Sequence, residues 1–159
     1  MYFYIVILDT TYNSKEHKEI IQDLIGKSYS FLESVRMGGI GSKRMIIEDV
    51  SPNLDQYLNH VSGINYANIE MRPNGIIIYV NKGLQNFTWI IPYYQLVFYK
   101  TNGASIHAQG KFIHFRNNIT YKENTAFFKK LRMEFRFLYI LLSAYPAFQT
   151  NEIIEKSFE

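Results

Sequence analysis

Apolar and polar positions alternate along residues 66–116 in short runs separated by turn residues, and none of these runs has helical spacing. The runs are rich in Ile, Val, Tyr, Phe and Thr, which is typical of β-strands. They read YANIEMR, IIIYVNK, NFTWII, PYYQLVFYK, ASIHAQ and GKFIHFR. The pattern predicts an antiparallel sheet in the middle of the chain.

Helical spacing occurs on both sides of this region. Apolar residues recur every three or four positions over 14–36 and again over 122–144, so each stretch is predicted to be one amphipathic helix. The remaining predicted elements are strands at 1–8 and 44–50 and a short helix at 51–60. The chain is therefore predicted to be α+β.

Asparagine-glycine pairs give the strongest turn signals. Asn74-Gly75 and Asn102-Gly103 both suit a type I′ hairpin turn, which needs positive φ at its two central residues. Gln109-Gly110 is a weaker signal of the same kind. If the last two pairs are both two-residue turns, the three strands around them have a defined register.

That register sorts the last three strands into a core face and an outer face. It predicts that Tyr99 lies opposite Ile106 and that His107 lies opposite Phe112. The predicted core face carries Val97, Tyr99, Ile106, Ala108, Ile113 and Phe115. The predicted outer face carries Leu96, Phe98, Lys100, Ser105, His107, Phe112, His114 and Arg116. This outer face combines aromatic with basic side chains, so six of its members are candidate binding residues: Phe98, Lys100, His107, Phe112, His114 and Arg116.

Composition limits the classes of function. A length of 159 residues with 47% hydrophobic and 19% charged residues suits one folded domain. The chain has no cysteine, which excludes disulfides, thiolate catalysis and Cys-based metal sites. The net charge of +3 is uneven, because residues 99–136 hold eight Lys or Arg against two Glu. Such a local basic excess can meet a phosphate or a membrane surface, although most are solvated faces.

Catalytic and metal motifs are weak. His107 and His114 would lie diagonally on the outer face, about 7–8 Å apart, where they could share a metal or act as an acid–base pair. Without a third ligand nearby, the simpler interpretation is that they are ordinary surface histidines. Glycines at 38, 39 and 41 follow a predicted helix rather than a strand, so a hinge is favoured over a phosphate-binding loop. We expect no enzyme activity and no cofactor.

A run of antiparallel strands followed by one C-terminal amphipathic helix resembles the pleckstrin-homology (PH) superfold, especially its bacterial PH-like branch. The segments that carry the resemblance are EMRPNGIIIYV, WIIPYYQLVFY, ASIHAQ, KFIHFR and FFKKL, within about 66–144. The resemblance implies a strongly bent sheet, or partly open barrel, packed on a long C-terminal helix. It divides the chain into an N-terminal strand-helix extension packed on the core (1–65), a PH-like core (66–145) and a tail (146–159).

The resemblance also bears on function. Some PH domains bind phosphoinositides through a basic loop between their first strands, but here only Arg72 and Lys82 lie near that position. That activity is therefore not carried over. We expect a non-catalytic binding or scaffolding module, with a protein partner or self-association. The alternative is binding to nucleic acid or an anionic membrane surface, with Phe98 and Phe112 stacking on bases.

Two further expectations concern the surroundings of the domain. The helix over 14–36, or a second copy of the chain, is expected to cover the outer face, since exposed Leu96, Phe98 and Phe112 would form an unusual patch. No apolar run reaches the roughly 20 residues of a membrane span, and the N-terminus lacks the features of a signal peptide. A cytoplasmic location is therefore expected.

Overall fold

The computed structural model describes residues 7–61 and 63–143, with side chains described as far as Arg136. The fold is α+β with one antiparallel sheet. Its eight strands are β1 (Ile7–Asp9), β2 (Met45–Val50), β3 (Tyr66–Arg72), β4 (Gly75–Lys82), β5 (Gln85–Pro92), β6 (Val97–Tyr99), β7 (Gly103–Ala108) and β8 (Lys111–Arg116). The helices are α1 (Lys15–Ile25), α2 (Phe31–Arg36), α3 (Ile119–Lys122) and α4 (Thr125–Ser143).

The strands lie in the order β1-β5-β4-β3-β2-β8-β7-β6, and every pairing is antiparallel. β1 and β6 are therefore the two edges, and across the described residues the sheet is not closed into a barrel. β1 lies outside the region in which the sheet was predicted, and residues 1–6 of its predicted strand lie outside the described residues.

β2 joins the two halves of the sheet, which are β1-β5-β4-β3 on one side and β8-β7-β6 on the other. Its beginning pairs with β3, through Met45 and Ile46, whereas its end pairs with β8. The register shifts between Ile47 and Asp49, which is the mark of a β-bulge, and bulges bend a strand. Nothing in this strand order marks residue 65 as a boundary, because β2 precedes it and lies at the centre of the sheet.

One hydrophobic core takes side chains from both halves of the sheet. Ile78 and Trp89 contribute from one half and Ile106 and Phe115 from the other. Trp89 is part of the core, since only 2% of the residue is exposed. The first part of α4 completes the core through four buried side chains, which are Phe127, Phe128, Leu131 and Phe135.

A second, smaller cluster forms on the opposite face of β4 and β5. There Ile25 of α1 packs with Ile77 and Ile90, so both faces of these two strands are covered. This explains the uninterrupted apolar run of β4. On β5, α1 covers the face that carries Thr88 and Ile90.

The single helix predicted over 14–36 is two helices. α1 ends at Gly26, whose φ of 87° is in the left-handed region where glycine is favoured. α2 then begins with a capping box, in which Ser30 and Glu33 exchange hydrogen bonds with each other's backbone N–H. The short helix predicted at 51–60 is reduced to one 3-10 turn, Asp55–Tyr57.

The first asparagine-glycine turn lies one residue before its predicted position, whereas the second has the predicted positive φ at Asn102 and Gly103 but a strand register that differs by one residue. Arg72 pairs with Gly75, so the first turn is Pro73-Asn74, and neither Asn74 nor Gly75 has positive φ. Tyr99 pairs with Ser105, so the second turn is centred on Asn102. In both hairpins the glycine is the first residue of the following strand.

Packing explains why these glycines belong to the strands. A Cβ on Gly75 would lie 2.4 Å from the carbonyl oxygen of Ile91, and one on Gly103 would lie 2.2 Å from that of Phe115. Only glycine allows the strands to approach so closely. By contrast, the weaker Gln109-Gly110 signal gives the predicted register, with φ of 55° and 73° and with His107 opposite Phe112.

No helix within the described ranges is long and apolar enough to cross a membrane.

Candidate functional site

The structure brings together four of the six predicted site residues. Four residues lie on the outer face of β7 and β8: His107, Phe112, His114 and Arg116. His107 pairs with Phe112 across the two strands, and the other two are alternate residues of β8 after Phe112. Lys100 is exposed in the loop that follows β6. Phe98 does not belong to this group.

Phe98 lies on the core face, which corrects its predicted position. It pairs with Ile106 rather than His107, is 4% exposed, and packs on Phe128 of α4 with the ring centroids 5.4 Å apart. The cause is a register between β6 and β7 that differs by one residue from the predicted one, because a slip of one residue exchanges the two faces of a strand. Tyr99, which was predicted to be in the core, takes the outer position.

The outer face therefore carries a row of rings across three strands, which we call the aromatic face: Tyr99, His107 and Phe112. The Tyr99 and His107 rings meet edge to face with centroids 5.0 Å apart. His107 stacks on Phe112 at 5.3 Å with an angle of 25° between the rings. Ser105 Oγ lies 2.8 Å from Nε2 of His107 and fixes the orientation of the imidazole.

The aromatic face has little net charge. Burial, and secondarily the nearby His114, lower the pKa of His107 and favour its neutral form. Arg116 donates a hydrogen bond to the carboxylate of Glu48, the residue at the bulge of β2. Asp49 pairs with His114 in the strand register, so acidic residues lie beside the basic ones.

α1 does not cover the aromatic face, which leaves a second copy of the chain as the other expected cover. α1 packs on β4 and β5, in the other half of the sheet. Neither of the two hydrophobic clusters formed by the described residues includes Tyr99 or Phe112. Tyr99 remains 36% exposed, and His107 and Phe112 are half-buried.

The basic excess of residues 99–136 does not form one free surface. Lys111 is buried, with 7% of the residue exposed. Lys130 donates hydrogen bonds to the carbonyl oxygens of Gly38 and Gly39, at 2.9 and 2.7 Å. Arg116 is paired with Glu48. Three of the eight cations, Lys111, Lys130 and Arg116, are therefore buried or already hydrogen-bonded.

A metal site finds no support at the two histidines. Across residues 7–61 and 63–143, no three His, Asp or Glu side chains come together as metal ligands do. His107 and His114 do lie diagonally, as predicted, but the group near His107 is the hydroxyl of Ser105.

A polar groove on the other half of the sheet was missed from the sequence. It has a volume of about 230 Å³ and is lined by Arg44, Tyr66, Asn68, Tyr79 and Asn81, among others. Tyr66 and Asn68 alternate along β3 with the buried residues Ala67 and Ile69. Asparagine is uncommon in strands. Its presence at outward positions of both β3 and β4 was the sequence feature that could have indicated the groove.

A second cavity lies between the half-sheets, lined by apolar residues that include Leu54, Phe87 and Trp89. Its volume of about 20 Å³ would hold little more than one water molecule, and its walls offer no polar partner. It is a packing defect of the core and too small for a ligand.

Within the described residues, the aromatic face and the polar groove are therefore the candidate binding surfaces. In comparisons with known proteins, no family model, curated protein or solved structure matches the chain.

Proposed function

We propose that the chain is a non-catalytic binding module that recognises a protein surface through its aromatic face. The observation that carries the proposal is the row of Tyr99, His107 and Phe112 rings outside both hydrophobic clusters. Aromatic side chains in contact with one another offer a large, rigid surface, and such residues are enriched at the centres of protein interfaces. A second copy of the chain is one form that this partner can take.

The charge distribution favours a protein over a polyanion. Binding to phosphates needs several unpaired cations on one surface, and near the aromatic face Arg116 is already paired with Glu48. Asp49 and Glu48 would also repel a phosphate backbone. Nucleic acid or an anionic membrane is the alternative partner, with Lys100 and Arg116 as its phosphate contacts.

The architecture of the module is proposed to be PH-like. Strands β2 to β5 form one antiparallel meander and β6 to β8 form another, and β2 pairs with β8. α4 follows them and inserts Phe127, Phe128, Leu131 and Phe135 into the core. This succession supports the resemblance to the PH superfold, with α4 as the closing C-terminal helix. The absence of cysteine is compatible with the proposed cytoplasmic location.

The test compares one variant of the aromatic face with a matched control. Tyr99→Glu places a charge on the face at an exposed position of an edge strand, and Leu84→Glu makes the same kind of change at a turn residue that is 94% exposed. Sedimentation velocity over a range of concentrations reports self-association. Immobilised protein reports other partners, each of which is then purified and titrated.

The expected result is saturable binding, to the chain itself or to a purified protein, that Tyr99→Glu abolishes and Leu84→Glu preserves. Binding that both variants preserve, or no binding in either assay, would contradict the proposal. Titrations with single-stranded oligonucleotides and acidic vesicles test the alternative. That alternative requires salt-dependent binding that weakens when Lys100 and Arg116 are both changed to Gln.

A further inference from the structure

We propose that the polar groove on the outer face of β3 and β4 binds a small hydroxylated anion, such as a sugar acid or a sugar phosphate. This site is separate from the aromatic face and does not depend on it. The groove volume of about 230 Å³ is below that of pockets for drug-sized ligands, so the ligand is a compact one.

Arg44 supplies the charge. It lies directly before β2, and its guanidinium carbon is 4.6 Å from the centre of the Tyr66 ring. Among the described residues, no carboxylate pairs with it. The guanidinium thus contacts the Tyr66 ring and keeps unused N–H groups, which can bind a carboxylate or phosphate in a bidentate manner.

Asn68 and Asn81 supply the groups that read hydroxyls. Both side chains line the groove, and neither has a hydrogen-bond partner within the described part of the chain. A primary amide donates and accepts at once, as a sugar hydroxyl does, so two amides on neighbouring strands that line one groove suit a polyhydroxylated body. Both residues are in the sheet, which is a more rigid support than a loop.

The remaining walls are held in place by hydrogen bonds. Tyr79 donates its hydroxyl proton to Glu70 at 3.1 Å, and Glu70 also accepts from Arg72 at 2.7 Å. The Glu70 carboxylate, which contacts the groove residue Tyr79, is therefore neutralised by Arg72. At the far end, the Asn65 amide accepts from the backbone N–H of Asn59 at 2.7 Å and donates to its carbonyl at 3.0 Å.

Two-dimensional 15N–1H NMR spectra test the proposal, because the side-chain amides of Asn68 and Asn81 give their own signals. The probes are glucuronate, glucose 6-phosphate, glucose and inorganic phosphate. We expect both sugar anions to shift these two amide signals saturably, with a Kd of about 1 mM or tighter. Equal affinity for both anions would mean that Arg44 recognises a negative charge of either kind. A preference would identify a carboxylate or a phosphate as the group that Arg44 binds.

Variants assign the roles. Arg44→Gln should weaken binding of the sugar anions at least about tenfold, because a charged hydrogen-bonding partner is lost. Arg36→Gln changes an exposed arginine of α2 and should leave binding unchanged. Asn68→Thr keeps a strand-forming residue at this position. It should weaken the binding of both sugar anions but not the binding of inorganic phosphate.

Three results would overturn the proposal. The first is the absence of saturable shifts with either sugar anion while the spectrum shows a folded protein. The second is equal affinity for glucose and glucuronate, which removes the role of Arg44. The third is inorganic phosphate binding as tightly as glucose 6-phosphate, which removes the role of the amides.

Discussion

His107 is held between two rings and a hydroxyl on the surface of β7. Tyr99 lies at its edge, Phe112 against its plane, and Ser105 near its Nε2 atom. The titratable group that faces it is His114, on the neighbouring strand. Burial and the nearby His114 both favour the neutral imidazole, since a charged ring would lose solvation and meet like charge.

The first prediction concerns the pH dependence of stability. The pKa of His107 is lowered in the folded state, so between that pKa and the unfolded value of about 6.5 the unfolded chain binds more protons. The stabilisation is complete above about pH 6.5 and is lost as the pH falls through the folded pKa. His107→Gln should therefore flatten the decline in unfolding free energy between about pH 7 and 5.

Urea titrations at several pH values measure this decline. His60→Gln, at an exposed histidine beside Asp55, is the control and should not flatten it. An unchanged slope in His107→Gln would show that protonation of His107 does not oppose folding.

Strand β6 shows which part of the site could be predicted from the sequence. The presence of the strands, the register of β7 with β8 and the grouping of His107 with Phe112 all follow from alternation and from the turn at Gln109-Gly110. The facing of β6 does not follow, because it depends on whether Gly103 belongs to the turn or to the strand. That choice is made by the close approach of the Phe115 carbonyl, a contact between residues distant in sequence. The polar groove was missed for a similar reason, since it is built from two strands, β3 and β4, and from the loops that hold Arg44, Asn59 and Gly83.

The second prediction tests the facing of β6 directly. Phe98→Ala should destabilise the fold by about 3–5 kcal/mol, because it removes a buried ring that packs on Phe128. Tyr99→Ala should cost less than about 1 kcal/mol, since that ring is on the surface. The register predicted from the sequence would give the opposite order of losses, so chemical denaturation of both variants distinguishes the two registers.

The third prediction concerns the β3–β4 hairpin. Gly75→Ala should destabilise by about 1–3 kcal/mol, because its Cβ would lie 2.4 Å from Ile25 Cγ2 and from the Ile91 carbonyl oxygen. Asn74→Ala is the matched neighbour and should have little effect, since Asn74 is exposed and does not have positive φ. A larger loss for Asn74→Ala in thermal melts would indicate a type I′ turn at Asn74-Gly75 instead.

At the scale of the whole molecule, the two half-sheets meet again where the sheet is open. Gln109, in the β7–β8 turn, accepts a hydrogen bond from the indole N–H of Trp89 at 3.0 Å. It donates to the Ile90 carbonyl at 3.0 Å and to the Gln95 side chain at 2.7 Å. One side chain thus connects β5 to the turn across the gap between β5 and β6, which no backbone ladder spans in the described sheet.

The fourth prediction follows from this bridge. Gln109→Ala should cost about 1–3 kcal/mol, because it leaves the buried Trp89 N–H without its acceptor. Gln85→Ala, at an exposed position of β5, should be nearly neutral. Hydrogen exchange should report faster opening of the Trp89 indole N–H in Gln109→Ala. Equal exchange in the variant and the parent would mean that the bridge does not hold the half-sheets together.

The central position of β2 has a consequence for how the chain is made. β2 can pair with β3 soon after both leave the ribosome, because the two strands are close in sequence. Its other partner, β8, is synthesised much later, since Ile47 pairs with Phe115. During synthesis the outer edge of β2 is therefore an unpaired strand edge, and such edges invite pairing with other chains. Completion of β8 protects that edge, and closing so long a loop is expected to be the slow step of folding.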